Sequence, residues 1–166
     1  MITSPGVPAQ AEAAAAVPFQ FGTAARACSG STAAPGAFSL TWIDVRSDEE
    51  AEEVRLTAAA VAAELAAEPG FISWMGLEIG SRLYTITAWE SSDAVSAVLR
   101  NRTHQAAVRR FFTGNLGAAA STSVWRADHV NALWMRCPAC ATMTDRAQAD
   151  GICPCGELLP EAPESW

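Results

Sequence analysis

The sequence predicts an α+β fold, in which an antiparallel sheet carries helices on one face and a small cysteine-rich appendage follows. Three observations predict it: an alternating apolar run at residues 38–45, an apolar helical stripe behind it, and two close cysteine pairs near the C-terminus. The chain of 166 residues has room for one domain of about 100 residues and a small appendage. We predict an arm or linker over residues 1–36, the main domain over 37–130 and a zinc-ribbon-like appendage over 131–166.

The first 36 residues are rich in Ala, Pro, Gly, Ser and Thr and show no sustained period of 2 or 3.6, which predicts an arm or a linker. Residues 17–21 contain two phenylalanines that could anchor this arm against the same subunit or a partner. Cys28 has no partner close in sequence, and we interpret it as an incidental thiol.

The main domain begins with a strand at residues 38–45, followed by a capping box with acidic residues at 47–50. A long helix is predicted next, because apolar residues recur at helical spacing and form one stripe. Residues 68–70, Glu-Pro-Gly, end this helix. The stripe consists of Val54, Ala58, Val61 and Leu65.

Two strands at 71–78 and 82–89 are joined by residues 79–81, which have the length and composition of a hairpin turn. A short helix from residue 90 to 99 and a second one from Thr103 follow, and a last strand at 121–125 could extend toward Trp134. The order β-α-β-β-α-β is the ferredoxin-like split βαβ arrangement. The second short helix is expected to direct inward Ala107, Val108, Phe111 and Phe112.

The strand at 71–78 is apolar on both parities, which predicts that both faces of the sheet are buried. The open face should therefore pack on a second sheet, most simply that of an identical subunit, so a homodimer is expected. The alternation places Phe71, Met75 and Leu77 on one side, with Ile72 and Trp74 on the other.

The charge pattern excludes several partners. The net charge is −7 and the 11 basic residues form no cluster, so neither nucleic acid nor an anionic membrane surface is an expected partner. We find no run long enough to span a bilayer and no signal peptide, which predicts a cytoplasmic protein. In a reducing compartment, clustered cysteines are better interpreted as metal ligands than as disulfides.

The appendage contains the pairs Cys137-x-x-Cys140 and Cys153-x-Cys155, separated by twelve residues. Four thiolates complete the tetrahedral coordination of Zn²⁺ and leave no position for water, which predicts a structural zinc site. Gly156 relieves the crowded turn of the second pair. The alternatives are a dithiol redox pair, unligated cysteines, or iron in a rubredoxin-like role.

The order of elements resembles the antibiotic biosynthesis monooxygenase domain of the dimeric α+β barrel superfamily over roughly residues 38–128. The segments that carry this resemblance are 68–71, 86–91 and 102–104. It implies dimers whose sheets face one another and an apolar pocket between sheet and helices in each subunit. The best-known enzymatic members oxidise aromatic polyketides such as anthrones with O2, using neither metal nor flavin, and other members cleave haem.

Two departures from the family qualify this resemblance. Anthrone-oxidising members often carry an asparagine four residues before the strand tryptophan, where this chain has Thr85. Haem-cleaving members place a Trp and a His where this chain has Val98 and Val108, which argues against haem cleavage. No organic cofactor is expected.

Two residues are candidates for catalysis. His104 near a helix start could act as a base toward a phenol or an acidic C–H, and Arg109 could polarise a ligand carbonyl. The alternative interpretations are a packing or capping histidine and a solvated arginine beside Arg110. The candidates for ligand binding are Trp74, Tyr84, Trp89 and Asn101.

Trp74 and Trp89 could stack on a planar aromatic ligand or could belong to the core, and Asn101 could cap the second short helix. The leading hypothesis is a cofactor-independent oxygenase, or a related pocket enzyme, that acts on an aromatic or polyketide-like small molecule. The alternative is a non-catalytic dimer, either a small-molecule-binding or a protein-interaction module whose zinc knuckle makes the contact.

Overall fold

The computed structural model describes residues 25–129 and 132–162. The main domain contains β1 (Ala25–Cys28), β2 (Ala37–Asp44), α1 (Asp48–Leu65), β3 (Phe71–Ile79), β4 (Arg82–Trp89), a 3₁₀ turn (Ala94–Ser96), α2 (Ala97–Arg100), α3 (Arg102–Phe112) and β5 (Ala119–Arg126). The appendage contains β6 (Trp134–Arg136) and β7 (Met143–Asp145).

The main sheet has the strand order β1-β3-β4-β2-β5, and every neighbouring pair is antiparallel. Strands β2 to β5, with α1 and the α2–α3 pair as crossovers, form the ferredoxin-like arrangement that the sequence predicts, so this prediction is confirmed. Strand β2 lies between β4 and β5 and is therefore an interior strand, while β5 forms one edge of the sheet.

Strand β1 lies in the stretch that we expected to be an arm. It pairs with the edge of β3 in the register Ala27 to Trp74 and Cys28 to Ser73. Next to it, the Ser29 hydroxyl donates to the Phe71 carbonyl at 2.7 Å. Backbone pairing to an available edge creates this strand without an apolar alternation of its own. The expected anchor at residues 17–21 lies outside the described residues.

Helix α1 begins at the predicted cap. The Ser47 hydroxyl accepts from the Glu50 backbone N–H at 3.3 Å. The Glu50 carboxylate accepts from the Arg46 backbone N–H at 2.8 Å, pairs with the Arg46 guanidinium, and accepts from the Gly117 N–H at 3.2 Å. These bonds tie the start of α1 to the loop that precedes β5.

The core lies between α1 and the β3–β4 hairpin, where Leu65, Phe71, Trp74 and Trp89 pack together. A β-bulge between Phe71 and Ser73 changes the register, so that Phe71 pairs with Trp89. The two rings meet edge to face at a centroid distance of 5.2 Å. The bulge therefore moves Phe71 to the helix side of the sheet, which corrects the expectation that it shares a face with Met75 and Leu77.

The sheet face that points away from the helices is apolar. Across adjacent strands, Met75 is opposite Ile86 and Ile86 is opposite Leu40, while Tyr84 is opposite Trp42. These side chains are only half-buried, and no helix among the described elements packs on this face. The face is therefore available to a second protein surface.

The apolar residues of α3 that were expected to point inward line a cavity and do not form a closed core. None of the α3 residues is buried, and Phe112 is 80% exposed. The apolar side of α3 borders an open cavity instead, because the helix stands away from the sheet. Strand β5 also ends at Arg126, and Trp134 belongs to the separate β6–β7 hairpin.

Within the described residues, no helix has both the length and the apolar composition needed to cross a bilayer.

Candidate functional site

A cavity of about 430 Å³ lies between the helix-facing side of the sheet and the helices. Its walls are largely apolar and come from α1, α2 and α3, while its floor is rich in hydroxyl groups. The walls include Val54, Ala58, Val61, Leu65, Val98, Ala107, Val108, Phe111 and Phe112. The floor includes Ser39, Thr41, Thr85, Thr87, Ser121 and Thr122.

The hydroxyl floor follows from strand register. Thr85, Thr41 and Thr122 lie directly opposite one another on β4, β2 and β5. The Thr41 and Thr122 hydroxyl oxygens are 3.0 Å apart, and Thr87 accepts from the Trp89 indole N–H at 2.7 Å. Since alternate residues of a strand face opposite sides, the small hydroxyl residues of β2 and β4 face the helices together with Ile43 and Leu83, while Leu40, Trp42 and Ile86 face away.

His104 lies in the first turn of α3 and lines the cavity. The Asn101 side chain caps this helix by accepting from the His104 backbone N–H at 2.8 Å, as the sequence suggested. Glu64 on α1 accepts from the Asn101 amide at 2.7 Å and from the Thr103 hydroxyl at 2.5 Å. These bonds hold the His104 end of α3 against α1.

Burial lowers the pKa of His104 from its ordinary value. Burial therefore favours the neutral imidazole, in which one ring nitrogen can accept a proton. A neutral base next to apolar walls is suited to removing a proton from a weakly acidic group of a bound ligand.

Trp74 lines the same cavity and is 6% exposed. Its indole lies over Gly76, where a Cβ atom would come within 2.6 Å of the indole Cη2. Glycine at this position therefore makes room for the ring. Gly76 lies opposite Thr85 in the sheet, so the indole covers the β3 side of the hydroxyl floor.

Of the residues predicted for the site, the structure brings His104 and Trp74 to this cavity. Trp89 is fully buried in the core and does not line it, and Asn101 serves as the cap of α3. Arg109 is exposed and lies outside the lining. Tyr84 lines a second cavity of about 560 Å³ at the β3–β4 hairpin.

The hydroxyl residues of the floor were not among the site residues predicted from the sequence. Their signal is the alternation of β2, in which Ser39 and Thr41 occupy one parity while Phe38, Leu40 and Trp42 occupy the other. The alternation alone does not show which face of the sheet the helices cover, so it does not predict that these hydroxyl groups line a cavity.

The appendage brings together Cys137, Cys140, Cys153 and Cys155, whose sulfur atoms all lie within 4.8 Å of one another. The Cys137–Cys155 and Cys140–Cys153 sulfur distances are both 3.6 Å. This is too long for a disulfide and close to the roughly 3.8 Å edge of a tetrahedron with Zn–S bonds of about 2.3 Å. The four cysteines can therefore hold a metal ion.

The backbone turns around the sulfurs support this arrangement. The Ala141 N–H donates to the Cys137 carbonyl at 3.0 Å, and the Gly156 N–H donates to the Cys153 carbonyl at 2.8 Å. Gly156 adopts φ = 90°, a left-handed conformation that suits glycine. Cys28 lies on β1 and takes no part in the cluster.

The neighbouring thiols of the cluster shift one another's pKa values in opposite directions. Contacts with Thr142 lower the pKa of Cys140 to about 6. At Cys155, the Glu157 backbone N–H lowers the pKa, but the other sulfurs outweigh it and raise the pKa to about 12. A bound cation would remove these opposing shifts, because it stabilises all four thiolates together.

The fold and the cavity define an α+β domain with a ligand-sized chamber between its sheet and its helices. Residues 38–110 match the family model described as antibiotic biosynthesis monooxygenase, which confirms the resemblance for this segment. No curated protein matches the chain.

Solved structures with the same fold include a putative antibiotic biosynthesis monooxygenase from Deinococcus radiodurans, at 15% identity over 58% of this chain and 97% of the other, with a TM-score of 0.51. A mutant of SnoaB, a cofactor-independent oxygenase from Streptomyces nogalater, matches at 20% identity over 57% and 94%, with a TM-score of 0.46. A monooxygenase from the gene ActVA-Orf6 of Streptomyces coelicolor, in complex with nanaomycin D, matches at 16% identity over 58% and 91%, with a TM-score of 0.46.

Proposed function

We propose that the protein is a cofactor-independent oxygenase that acts on an aromatic, polyketide-like small molecule. The observation that carries this proposal is the apolar cavity with neutral His104 at its wall and a hydroxyl floor opposite α3. The match of residues 38–110 to a monooxygenase family supports it. In this proposal His104 is the base and Trp74 packs against the bound ring system.

The proposed reaction can be written for an anthrone. His104 takes one proton from the ring CH2, and the resulting carbanion, delocalised onto the carbonyl oxygen, transfers electrons to O2 and forms a C–O bond. Protonated His104 returns its proton to the peroxide anion. The hydroperoxide then loses its second C–H hydrogen as a proton while the O–O bond breaks, so that one oxygen atom becomes the new carbonyl and the other leaves as hydroxide, which takes up that proton and becomes water. The substrate supplies the electrons, and the floor hydroxyls can donate to its oxygens.

The proposal includes a homodimer formed through the apolar face of the sheet and a structural zinc ion bound by the four cysteines. We place the protein in the cytoplasm, where reducing conditions keep the thiolates available. The function of Arg109 as a catalytic residue is not part of the proposal, because its side chain lies outside the cavity lining.

A second candidate function is a non-catalytic dimeric module that binds a small molecule or a protein. Its support is that His104 is the single titratable side chain among the described residues that line the cavity. The exposed apolar residues Trp134 and Leu158 on the appendage also suit a contact with a protein.

The test is aerobic incubation of the purified protein with an anthrone while an electrode records O2. The oxygenase proposal predicts O2 uptake above the spontaneous rate, with no added flavin or metal and with formation of the quinone. Binding of the anthrone without accelerated O2 uptake would support the non-catalytic module instead.

A further inference from the structure

The cavity lining is uncharged. Among the described residues that line it there is no Asp, Glu or Arg, and the chain contains no Lys. His104 is the one titratable group of this lining, and burial favours its neutral form. The polar character of the cavity therefore comes from hydroxyl groups.

Several charged side chains of α1 and α3 form ion pairs or hydrogen bonds outside the cavity lining, and Arg102 and Arg109 also lie outside that lining. Arg55 pairs with Glu52 at 3.0 Å and with Glu78 at 2.6 Å, and Arg110 pairs with Glu53. Glu64 accepts from Asn101 and Thr103, as described above. None of these arginines lines the cavity, so none is positioned to form an ion pair with an anion bound there.

The hydroxyl floor suits neutral oxygen substituents. A Ser or Thr hydroxyl both donates and accepts, so it can bond to a phenol, a ketone or an alcohol without leaving a charge unbalanced. A carboxylate in the same position would lose part of its water and gain no cationic partner among the described lining residues, which is unfavourable next to apolar walls.

We propose that the cavity selects uncharged aromatic ligands that carry hydroxyl or keto groups and rejects their carboxylate analogues. This inference rests on the proposed function, because it specifies the substrate class of the same cavity. Discrimination arises because the described residues of the lining include no cation, rather than from ligand size or shape.

The test uses two planar hydroxyanthraquinones that differ at one substituent, aloe-emodin with a hydroxymethyl group and rhein with a carboxyl group. Calorimetric titration of the full chain near pH 7, where the carboxyl is ionised, measures both dissociation constants. We expect aloe-emodin to bind at least about fivefold more tightly than rhein. A smaller ratio, with both compounds bound, would overturn the inference and leave the proposed function intact. If neither compound binds, the inference and the ligand cavity of the proposed function both fail.

A pair of variants isolates charge as the cause. Thr122 is exposed on β5 and lies at the edge of the floor, so a long side chain fits there without entering the core. Thr122→Lys adds a cation, and Thr122→Gln is its neutral control. We expect Thr122→Lys to bind rhein at least about fivefold more tightly than Thr122→Gln does, since a nearby ammonium compensates the carboxylate. Equal rhein affinity in the two variants would contradict the electrostatic basis of the inference.

Discussion

Replacement of Cys137 by Ser should remove the metal from the appendage and unfold it. Cys137 is 1% exposed, and the buried apolar cluster around it contains only Cys153 and Leu159, with Met135 partly buried. Burying one leucine contributes about 1.5–3 kcal/mol. Ordering the backbone costs about 1–2 kcal/mol for every residue. Because zinc binding to small Cys-rich domains supplies about 10–16 kcal/mol, we expect the proposed metal to provide most of the stability of this segment.

Loss of a residue that hydrogen-bonds to a metal ligand weakens metal binding by roughly 10- to 100-fold. Losing one of the four thiolate ligands themselves should weaken zinc binding by more than this. Elemental analysis should give close to one zinc per chain for the parent and for Cys28→Ser, a control outside the cluster, and far less for Cys137→Ser. Hydrogen exchange should accelerate over residues 134–159 and stay slow in the main sheet. Full zinc content in Cys137→Ser would show that Cys137 is not a required ligand. A metal-free parent whose appendage remains protected from exchange would show that zinc does not stabilise this segment.

Three further predictions follow from contacts described above. Gly76→Ala should destabilise the domain by about 1–3 kcal/mol in a urea titration, because the new Cβ would displace the Trp74 indole, and an unchanged midpoint contradicts that packing. The Arg46 guanidinium lowers the pKa of Glu50 from 4.5 to about 2, so this carboxylate stabilises the fold above pH 4.5 and loses its contribution as the pH falls toward 2. The melting temperature of Glu50→Gln should therefore be below that of the parent near pH 7 and approach it near pH 2, whereas a gap that persists at pH 2 rules out this linkage. Ile86→Glu should convert a dimeric parent into a monomer by light scattering, and a parent that is already monomeric at micromolar concentration removes the proposed interface.

Much of the fold could be predicted from local sequence signals. The Ser47 cap, the hairpin between β3 and β4 and the division of the second helical segment depend on residues close in sequence. Strand β1 and the bulge at Phe71 could not be predicted in this way. The former depends on pairing with a distant strand edge, and the latter accompanies the packing of Phe71 against Trp89.

Only those parts of the candidate site that depend on residues close in sequence could be predicted. The helix-start position of His104 suggested a base, and the spacing of the four cysteines suggested a metal cluster. The importance of Thr41 and Thr85 depends on which sheet face the helices cover, and the alternation in sequence does not indicate that face. Trp74 and Trp89 look alike in sequence, but Trp89 lies beneath the helices while Trp74 reaches the cavity.

His104 is the proposed base of the cavity, and a comparison of the anthrone-dependent O2 uptake of two variants tests this role. His104→Gln keeps a polar side chain of similar size, and His129→Gln changes the other histidine, which is exposed and contacts Asp128. We expect kcat to fall by about 10²- to 10⁴-fold in His104→Gln, with KM and melting temperature close to the parent, while His129→Gln behaves as the parent. Full turnover in His104→Gln would show that His104 is not the base.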